Sequence, residues 1–135
     1  MIRVGIIGAG GNTISAHLPK LIEQGGVEIV SVANRTIASG KKVAKKFNIP
    51  KVYDDWQNII SDDEIDAVCI GTWPYMHSTI TVEALEEGKH VLTEARMAMN
   101  SEEAELMHNI SKSYPDLITQ IVPAPHTLPY DKTIK

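Results

Sequence analysis

The glycines near the amino terminus form a pattern that can bind a phosphate group. An apolar run leads directly into Gly8-Ala9-Gly10-Gly11-Asn12-Thr13, and a helical pattern follows. Gly8 allows a sharp turn, and Gly10 leaves room for a pyrophosphate against bare backbone. The N-terminus of the helix would offer unpaired N–H groups to that anion. The third glycine of a G-x-G-x-x-G motif is replaced by Thr13, and a tight turn without a ligand is the alternative interpretation.

The residues after the second apolar run are suited to the adenosine end of a dinucleotide. In an NAD site, a carboxylate at this position accepts hydrogen bonds from the ribose. This chain instead has Asn34-Arg35-Thr36. Arg35 offers a planar set of donors for a 2′-phosphate, and Asn34 lacks the charge that would repel one. We therefore expect NADP, with NAD as the alternative if Arg35 stacks on the adenine or points to solvent.

The composition is typical of a globular protein and argues against several classes of partner. The chain has 135 residues, of which 43% are hydrophobic and 22% charged, and its formal net charge is −4. An acidic chain of this kind has no general attraction to nucleic acid or to anionic membranes. We also find no apolar stretch of bilayer length and no signal-peptide pattern. The sequence therefore predicts a cytoplasmic protein.

The cysteine and histidine residues do not predict a metal site. Cys69 is the only cysteine, and its apolar neighbours indicate a core position rather than a thiolate ligand. His90, His108 and His126 are not at metal-ligand spacing, so we expect no metal. His17 lies one turn into the first helix, where we expect a structural hydrogen bond.

Apolar runs alternate with helical patterns along the chain. The predicted strands are residues 2–7, 27–33, 51–53, 67–71, 90–93 and 117–122. One helix is expected from about Met76 to a left-handed cap at Gly88, and another begins at a capping box of Asn100 and Glu103. Strict alternation predicts a doubly wound α/β Rossmann fold with a mostly parallel sheet of about six strands.

The prolines near the carboxyl terminus mark a change in organisation. Pro123, Pro125 and Pro129 cannot continue a helix or a central strand. We therefore expect a dinucleotide-binding domain over residues 1–122 and a segment, residues 123–135, that connects it to a second domain absent from this sequence.

Four stretches of the sequence occur together in one known enzyme family. They are residues 4–11, residues 17–19, residues 66–72 with His77, and residues 84–92 with Glu94. In this order they resemble the Gfo/Idh/MocA family of nicotinamide-dependent oxidoreductases. The resemblance implies a two-domain, homo-oligomeric enzyme whose amino-terminal half binds NAD(P). Its second α/β half would supply most contacts to a sugar, polyol or similar carbonyl substrate, so this chain alone is expected to be inactive.

The sequence after the fifth strand departs from the family's pattern. The family has Glu-Lys-Pro there, and its lysine helps to move the hydroxyl proton of the substrate. Here the residues are Glu94-Ala95-Arg96. Alanine cannot exchange a proton and arginine stays protonated, so we assign no catalytic residue. A dinucleotide-binding sensor without turnover is therefore an alternative, and a methyltransferase-type domain for an adenosyl ligand is a third.

The loop after the fourth strand also differs from the family's Thr-Pro-Asn. It reads Gly71-Thr72-Trp73-Pro74. Trp73 is expected either to cover an edge of the adenine or nicotinamide, or to pack within the loop. His77 is expected either to position the cofactor or to cap a helix. Together with Glu94 and Ala95, these residues are predicted to flank the route to the nicotinamide.

Overall fold

The strands form a single parallel sheet in a computed structural model that describes residues 1–122. They are β1 (Ile2–Ile7), β2 (Val27–Ala33), β3 (Lys51–Tyr53), β4 (Ala67–Ile70), β5 (His90–Thr93) and β6 (Thr119–Ile121). Their spatial order is β3-β2-β1-β4-β5-β6, and every neighbouring pair is parallel. This is the strand order of a dinucleotide-binding Rossmann fold, and it confirms the predicted fold class. The predicted connecting segment, residues 123–135, lies outside the described residues.

Helices connect the strands, as the periodicity of the sequence predicts. They are α1 (Leu18–Glu23), α2 (Ile37–Phe47), α3 (Gln57–Ile60), α4 (Pro74–Glu86) and α5 (Ser101–Ser113). A π-helical turn, Thr13–His17, leads into α1. The chain is left-handed at Gly88 with φ +73°, and the Asn100 side chain accepts a 2.8 Å hydrogen bond from the backbone N–H of Glu103. The cap at Gly88 and the Asn100 half of the capping box are therefore confirmed, whereas the Glu103 carboxylate accepts from the N–H of Met99 rather than from that of Asn100.

Three element boundaries differ from the sequence prediction, and one of them is the end of β4, which lies at Ile70 rather than Gly71. Helix α4 begins at Pro74 rather than near Met76. Proline fits the first turn of a helix because the N–H that it lacks would have no intrahelical partner there. Strand β6 covers Thr119–Ile121, which is shorter than the predicted 117–122.

The core lies on both faces of the sheet because neighbouring side chains on each strand point in opposite directions. Ile6 joins the cluster that contains Leu18 and Val43, on the side of α1 and α2. The next residue, Ile7, joins the cluster that contains Ile59 and Ile80, on the side of α3 and α4. Strands buried on both faces explain why the apolar runs of the sequence do not alternate with polar residues.

The doubly wound arrangement brings the predicted site loops to one edge of the sheet. Strands β1 and β4 are neighbours, but the chain continues from them toward opposite ends of the sheet. A crevice forms outside the carboxyl ends of the strands at such a point. No helix within residues 1–122 is long and apolar enough to cross a membrane.

Candidate functional site

A cleft of about 770 Å³ opens at the carboxyl edge of the sheet. Its walls come mainly from the loops that follow β1 to β5, and they include most of the site residues predicted from the sequence. These lining residues are Gly8, Ala9, Gly10, Gly11, Asn12, Thr13, Asn34, Arg35, Gly71, Thr72, Trp73 and Glu94. Thr36, His77 and Ala95 are outside the lining. In the described part of the chain, no three His, Cys, Asp or Glu side chains are grouped so as to hold a metal ion.

The glycine loop presents bare backbone to the cleft. Gly8 has φ +82°, and its N–H donates to the carbonyl of Ala33 at 2.8 Å, which fixes the turn against β2. A Cβ at Gly10 or Gly11 would meet no protein atom within 4 Å. Both residues therefore face open space, and the loop fits a pyrophosphate that approaches the backbone at a helix N-terminus.

Asn34 holds the glycine loop from the end of β2. Its Oδ1 accepts a 2.7 Å hydrogen bond from the N–H of Ala9, and its Nδ2 lies 3.5 Å from the Ala9 carbonyl oxygen. This pairing uses the Ala9 N–H, so that group is not available to a phosphate. The Nδ2 group, whose contact is long, remains the part of Asn34 that can donate to a ligand. The sequence did not predict this contact between residues 25 positions apart.

Thr13 packs the first helical turn against β4. Its side chain is only 1% exposed, and its Oγ1 donates to the carbonyl of Gly8 at 3.3 Å. A Cβ at Gly71 would collide with Thr13 Oγ1 and would lie 2.7 Å from the carbonyl oxygen of Gly8. The third glycine of the usual motif provides close helix–strand packing. In this chain, the absence of a side chain at Gly71 allows the close helix–strand packing instead.

Aromatic side chains form the wall beside the loop after β4. Trp73 is 74% exposed and Tyr75 is 62% exposed, so Trp73 is not packed within its loop. Trp56 and Met76 also line the cleft, as do Ser39 and Asp54. The sequence analysis missed Tyr75, Met76, Trp56, Ser39 and Asp54. Pro74 at the start of α4 was the available signal for Tyr75 and Met76, because it places both residues in the first helical turn.

Two of the three predicted residues outside the lining, His77 and Thr36, have structural contacts. His77 is 1% exposed, with Nδ1 2.7 Å from the carbonyl oxygen of Arg96 and Nε2 3.0 Å from that of Thr72. It therefore joins the loops after β4 and β5 and has no surface for direct contact with a ligand. The Thr36 hydroxyl caps α2 by accepting a 3.3 Å hydrogen bond from the backbone N–H of Ser39. Ala95 is exposed beside the cleft.

Glu94 lies at the end of β5 with two donors on one carboxylate oxygen. Asn12 Nδ2 and His17 Nε2 each lie 2.5 Å from Glu94 Oε1. The His17 side chain is 10% exposed and that of Glu94 is 15% exposed. His17 therefore makes the structural hydrogen bond expected of it. Its partner, 77 positions away, was not predicted.

Comparison with known sequences identifies the family. Residues 2–120 match the Gfo/Idh/MocA family, described as an oxidoreductase family with an NAD-binding Rossmann fold. This chain belongs to that family. An uncharacterized oxidoreductase of Rhizobium meliloti is 33% identical over 103 residues, which cover 76% of this chain and 31% of the relative. Bovine (Bos taurus) trans-1,2-dihydrobenzene-1,2-diol dehydrogenase is 31% identical over 107 residues, 79% of this chain and 31% of the enzyme.

Solved structures agree with this assignment of the Gfo/Idh/MocA domain. A 3-ketoreductase from Actinomadura kijaniata in complex with NADP superimposes with a TM-score of 0.81 and 26% identity, over 88% of this chain and 38% of that one. Myo-inositol 2-dehydrogenase from Lactobacillus plantarum shares the fold, with a TM-score of 0.83 and 24% identity over 90% of this chain and 36% of that one. The chain is an NAD(P)-binding oxidoreductase domain that spans about a third of the length of its relatives.

Charged side chains of this Gfo/Idh/MocA domain lie at opposite ends of the cleft. Arg35 follows β2 and Asp54 follows β3, whereas Glu94 follows β5. The switch point between β1 and β4 lies between them. A dinucleotide placed across that point would meet a guanidinium and a carboxylate at one end and a single carboxylate at the other.

Proposed function

We propose that this domain binds NADP across the cleft, with its adenosine half beside β2 and its nicotinamide half beside β4 and β5. The open backbone at Gly10 and Gly11, next to the switch point of the sheet, is the observation that carries the proposal. The backbone through Thr13 holds the pyrophosphate, and the loop after β4 flanks the nicotinamide together with Glu94. The cofactor supplies hydride transfer, and the protein fixes its position.

The side chains after β2 favour NADP over NAD in this proposal. Arg35 is exposed and lines the cleft, so its guanidinium is free to pair with a 2′-phosphate. No carboxylate occupies residues 33–36, where one would repel that phosphate. Thr36 caps α2, and the positive end of the helix dipole adds to the attraction of Arg35 for the phosphate.

Titration of the protein with NADP⁺ and NAD⁺ tests the cofactor assignment. We expect Arg35→Asp to weaken NADP⁺ binding by about 10- to 100-fold, because a charged hydrogen-bonding partner is lost and a repulsive charge appears. Binding of NAD⁺ should change little, since NAD⁺ has no 2′-phosphate. Isothermal calorimetry gives both dissociation constants.

Lys45→Asp is the matched control for Arg35→Asp. It makes the same change of charge at an exposed residue of the last turn of α2. It should leave both affinities close to those of the unaltered protein. Equal losses of NADP⁺ and NAD⁺ affinity in Arg35→Asp would contradict the preference for NADP.

For the whole protein, we infer a dehydrogenase or reductase acting on a sugar, polyol or similar carbonyl compound. A second domain would supply most substrate contacts and the surface for homo-oligomerisation. Hydride exchange between bound NADPH and such substrates, measured with the full-length gene product, tests this part of the proposal.

A dinucleotide-binding sensor is the second candidate, and Ala95 is the observation that favours it. Ala95 is exposed beside the cleft, and its methyl group has no proton to exchange. A full-length protein that binds NADP(H) tightly, but exchanges no hydride with any carbonyl or alcohol tested, would support the sensor.

A further inference from the structure

The contacts of Glu94 leave one of its two carboxylate oxygens for a ligand. Both Asn12 Nδ2 and His17 Nε2 lie against Oε1, at 2.5 Å each. Within residues 1–122 the structure gives no hydrogen bond to Oε2. The two donors on Oε1 fix the orientation of the carboxylate. Because Glu94 lines the cleft, its Oε2 can face a ligand.

The geometry of these contacts is compatible with a negative charge on the group. With the carboxylate ionised, an unprotonated Nε2 would place its lone pair against that of Oε1, so the contact calls for a hydrogen on His17 Nε2. A neutral imidazole with that hydrogen already satisfies the contact. Asn12 adds a second neutral donor to the same oxygen. With a neutral imidazole at His17, the cluster of Asn12, His17 and Glu94 carries the single negative charge of the carboxylate.

We propose that Glu94 is a specificity-determining residue that favours the oxidised cofactor over the reduced one. This inference rests on the proposed function, which places the nicotinamide half beside β4 and β5. The oxidised ring carries a positive charge and the reduced ring is neutral, so a fixed negative charge at this end stabilises only the oxidised form. Among the described residues that line the cleft, the other charged side chains are Arg35 and Asp54, which lie at the adenosine end. Asn12 and His17 are positioning residues, because they act through Glu94.

Three probes separate this role from a general effect on binding. They are NADP⁺, NADPH, and 2′-phospho-ADP-ribose, which lacks the nicotinamide. We expect Glu94→Gln to weaken NADP⁺ binding about tenfold and to leave NADPH and 2′-phospho-ADP-ribose within about twofold of the unaltered protein. The measurements are made near pH 8.

Variants of Glu87 and His17 complete the test. Glu87→Gln removes an exposed carboxylate at the end of α4 and should change none of the three affinities. His17→Ala should reproduce part of the selective loss for NADP⁺. In His17→Gln the amide can donate to the carboxylate, so this variant should keep much of the NADP⁺ affinity that His17→Ala loses.

Two results would overturn the proposal. One is an equal loss of NADP⁺ and NADPH affinity in Glu94→Gln, or no loss of either. The other is an equal loss of 2′-phospho-ADP-ribose affinity, which would mean that Glu94 acts on the glycine loop through Asn12. If the unaltered protein binds none of the three probes, the proposed function itself fails.

Discussion

Thr13 and Gly71 share one small volume behind the glycine loop. The threonine is buried, and a Cβ at Gly71 would occupy the position of its hydroxyl. The close approach of helix and strand that a dinucleotide-binding loop requires is therefore kept, although the usual third glycine is absent. Thr13 is thus a packing residue whose side chain faces the protein interior.

Gly71→Ala should lower the free energy of unfolding by about 1–3 kcal/mol, because the new methyl group overpacks this volume. Adding Thr13→Gly should recover part of the loss. Recovery stays partial because the methyl group would still lie 2.7 Å from the carbonyl oxygen of Gly8. Urea unfolding of the single and double variants measures both effects.

Gly11→Ala is the control for these variants, since a Cβ there meets no protein atom within 4 Å. Its stability should be unchanged or slightly raised. Additive losses in the double variant, with no recovery, would show that the two positions do not share a volume.

Contacts between distant residues limited what the sequence could predict about the site. Most residues of the cleft were predictable because they lie in loops that follow strands. Their partners were not, because the pairs Ala9–Asn34 and His17–Glu94 join residues 25 and 77 positions apart. Local patterns carry no information on such pairs. The cofactor-binding roles themselves remain predictions.

At the scale of elements, edge strand β3 is held by an ionic cluster as well as by the sheet. Lys51 Nζ donates to Asp62 Oδ2 at 2.8 Å and to Glu64, and the Tyr53 hydroxyl donates to the same Asp62 oxygen at 3.2 Å. Asp62 belongs to the segment between α3 and β4. The hydrogen bond from Lys51 is the main cause of a pKa for Asp62 below its usual value of 3.8.

The lowered pKa of Asp62 predicts a dependence of stability on pH. The unfolded chain binds a proton at Asp62 more readily than the folded chain does, so this contribution is fully present above about pH 5 and falls as the pH drops through the folded pKa. Asp62→Asn should be less stable near neutral pH and should lose less stability on acidification. Urea unfolding at a series of pH values measures the difference.

Asp63→Asn changes an exposed neighbour of the same type and serves as the control. Its acid profile should match that of the unaltered protein. If the free energy of unfolding depends on pH in the same way for Asp62→Asn and for the unaltered protein, the ionic cluster does not contribute to acid stability.

The order of strands and helices could be predicted because each element has its own local signal. Uninterrupted apolar runs, Asn100 before α5 and Gly88 after α4 are such signals. The π-helical turn at Thr13–His17 was not predicted, because it occurs where Thr13 packs against β4. Local periodicity carries no information about packing between elements that are distant in sequence.

At the scale of the whole molecule, the sheet has a hydrophobic core on each of its two faces. Cys69 lies on β4, a central strand of that sheet. The thiol is 1% exposed on the face that carries α1 and α2. Burial, with a smaller effect from the charge of Glu94, raises the pKa of Cys69 to about 12. The native protein therefore holds this cysteine as an unreactive thiol.

Cys69 should react with a thiol reagent near pH 8 only as fast as the sheet opens, and completely once the protein is unfolded in urea. The colour change of an aromatic disulfide reagent measures both rates. Ser101→Cys provides an exposed thiol for comparison, at the start of α5, and should react at once. Immediate reaction of two thiols in that variant would contradict the buried position of Cys69.

The shared volume of Thr13 and Gly71 also restricts the order in which evolution can change the two positions. A chain with glycine at both positions can acquire threonine at the first, but the second must then stay glycine, because a Cβ there would collide with the threonine hydroxyl. A larger residue at the second position has no equivalent route, because its Cβ would lie 2.7 Å from the carbonyl oxygen of Gly8 even beside a glycine at the first. A search for the three-glycine signature alone would pass over every descendant that took the route seen in this domain.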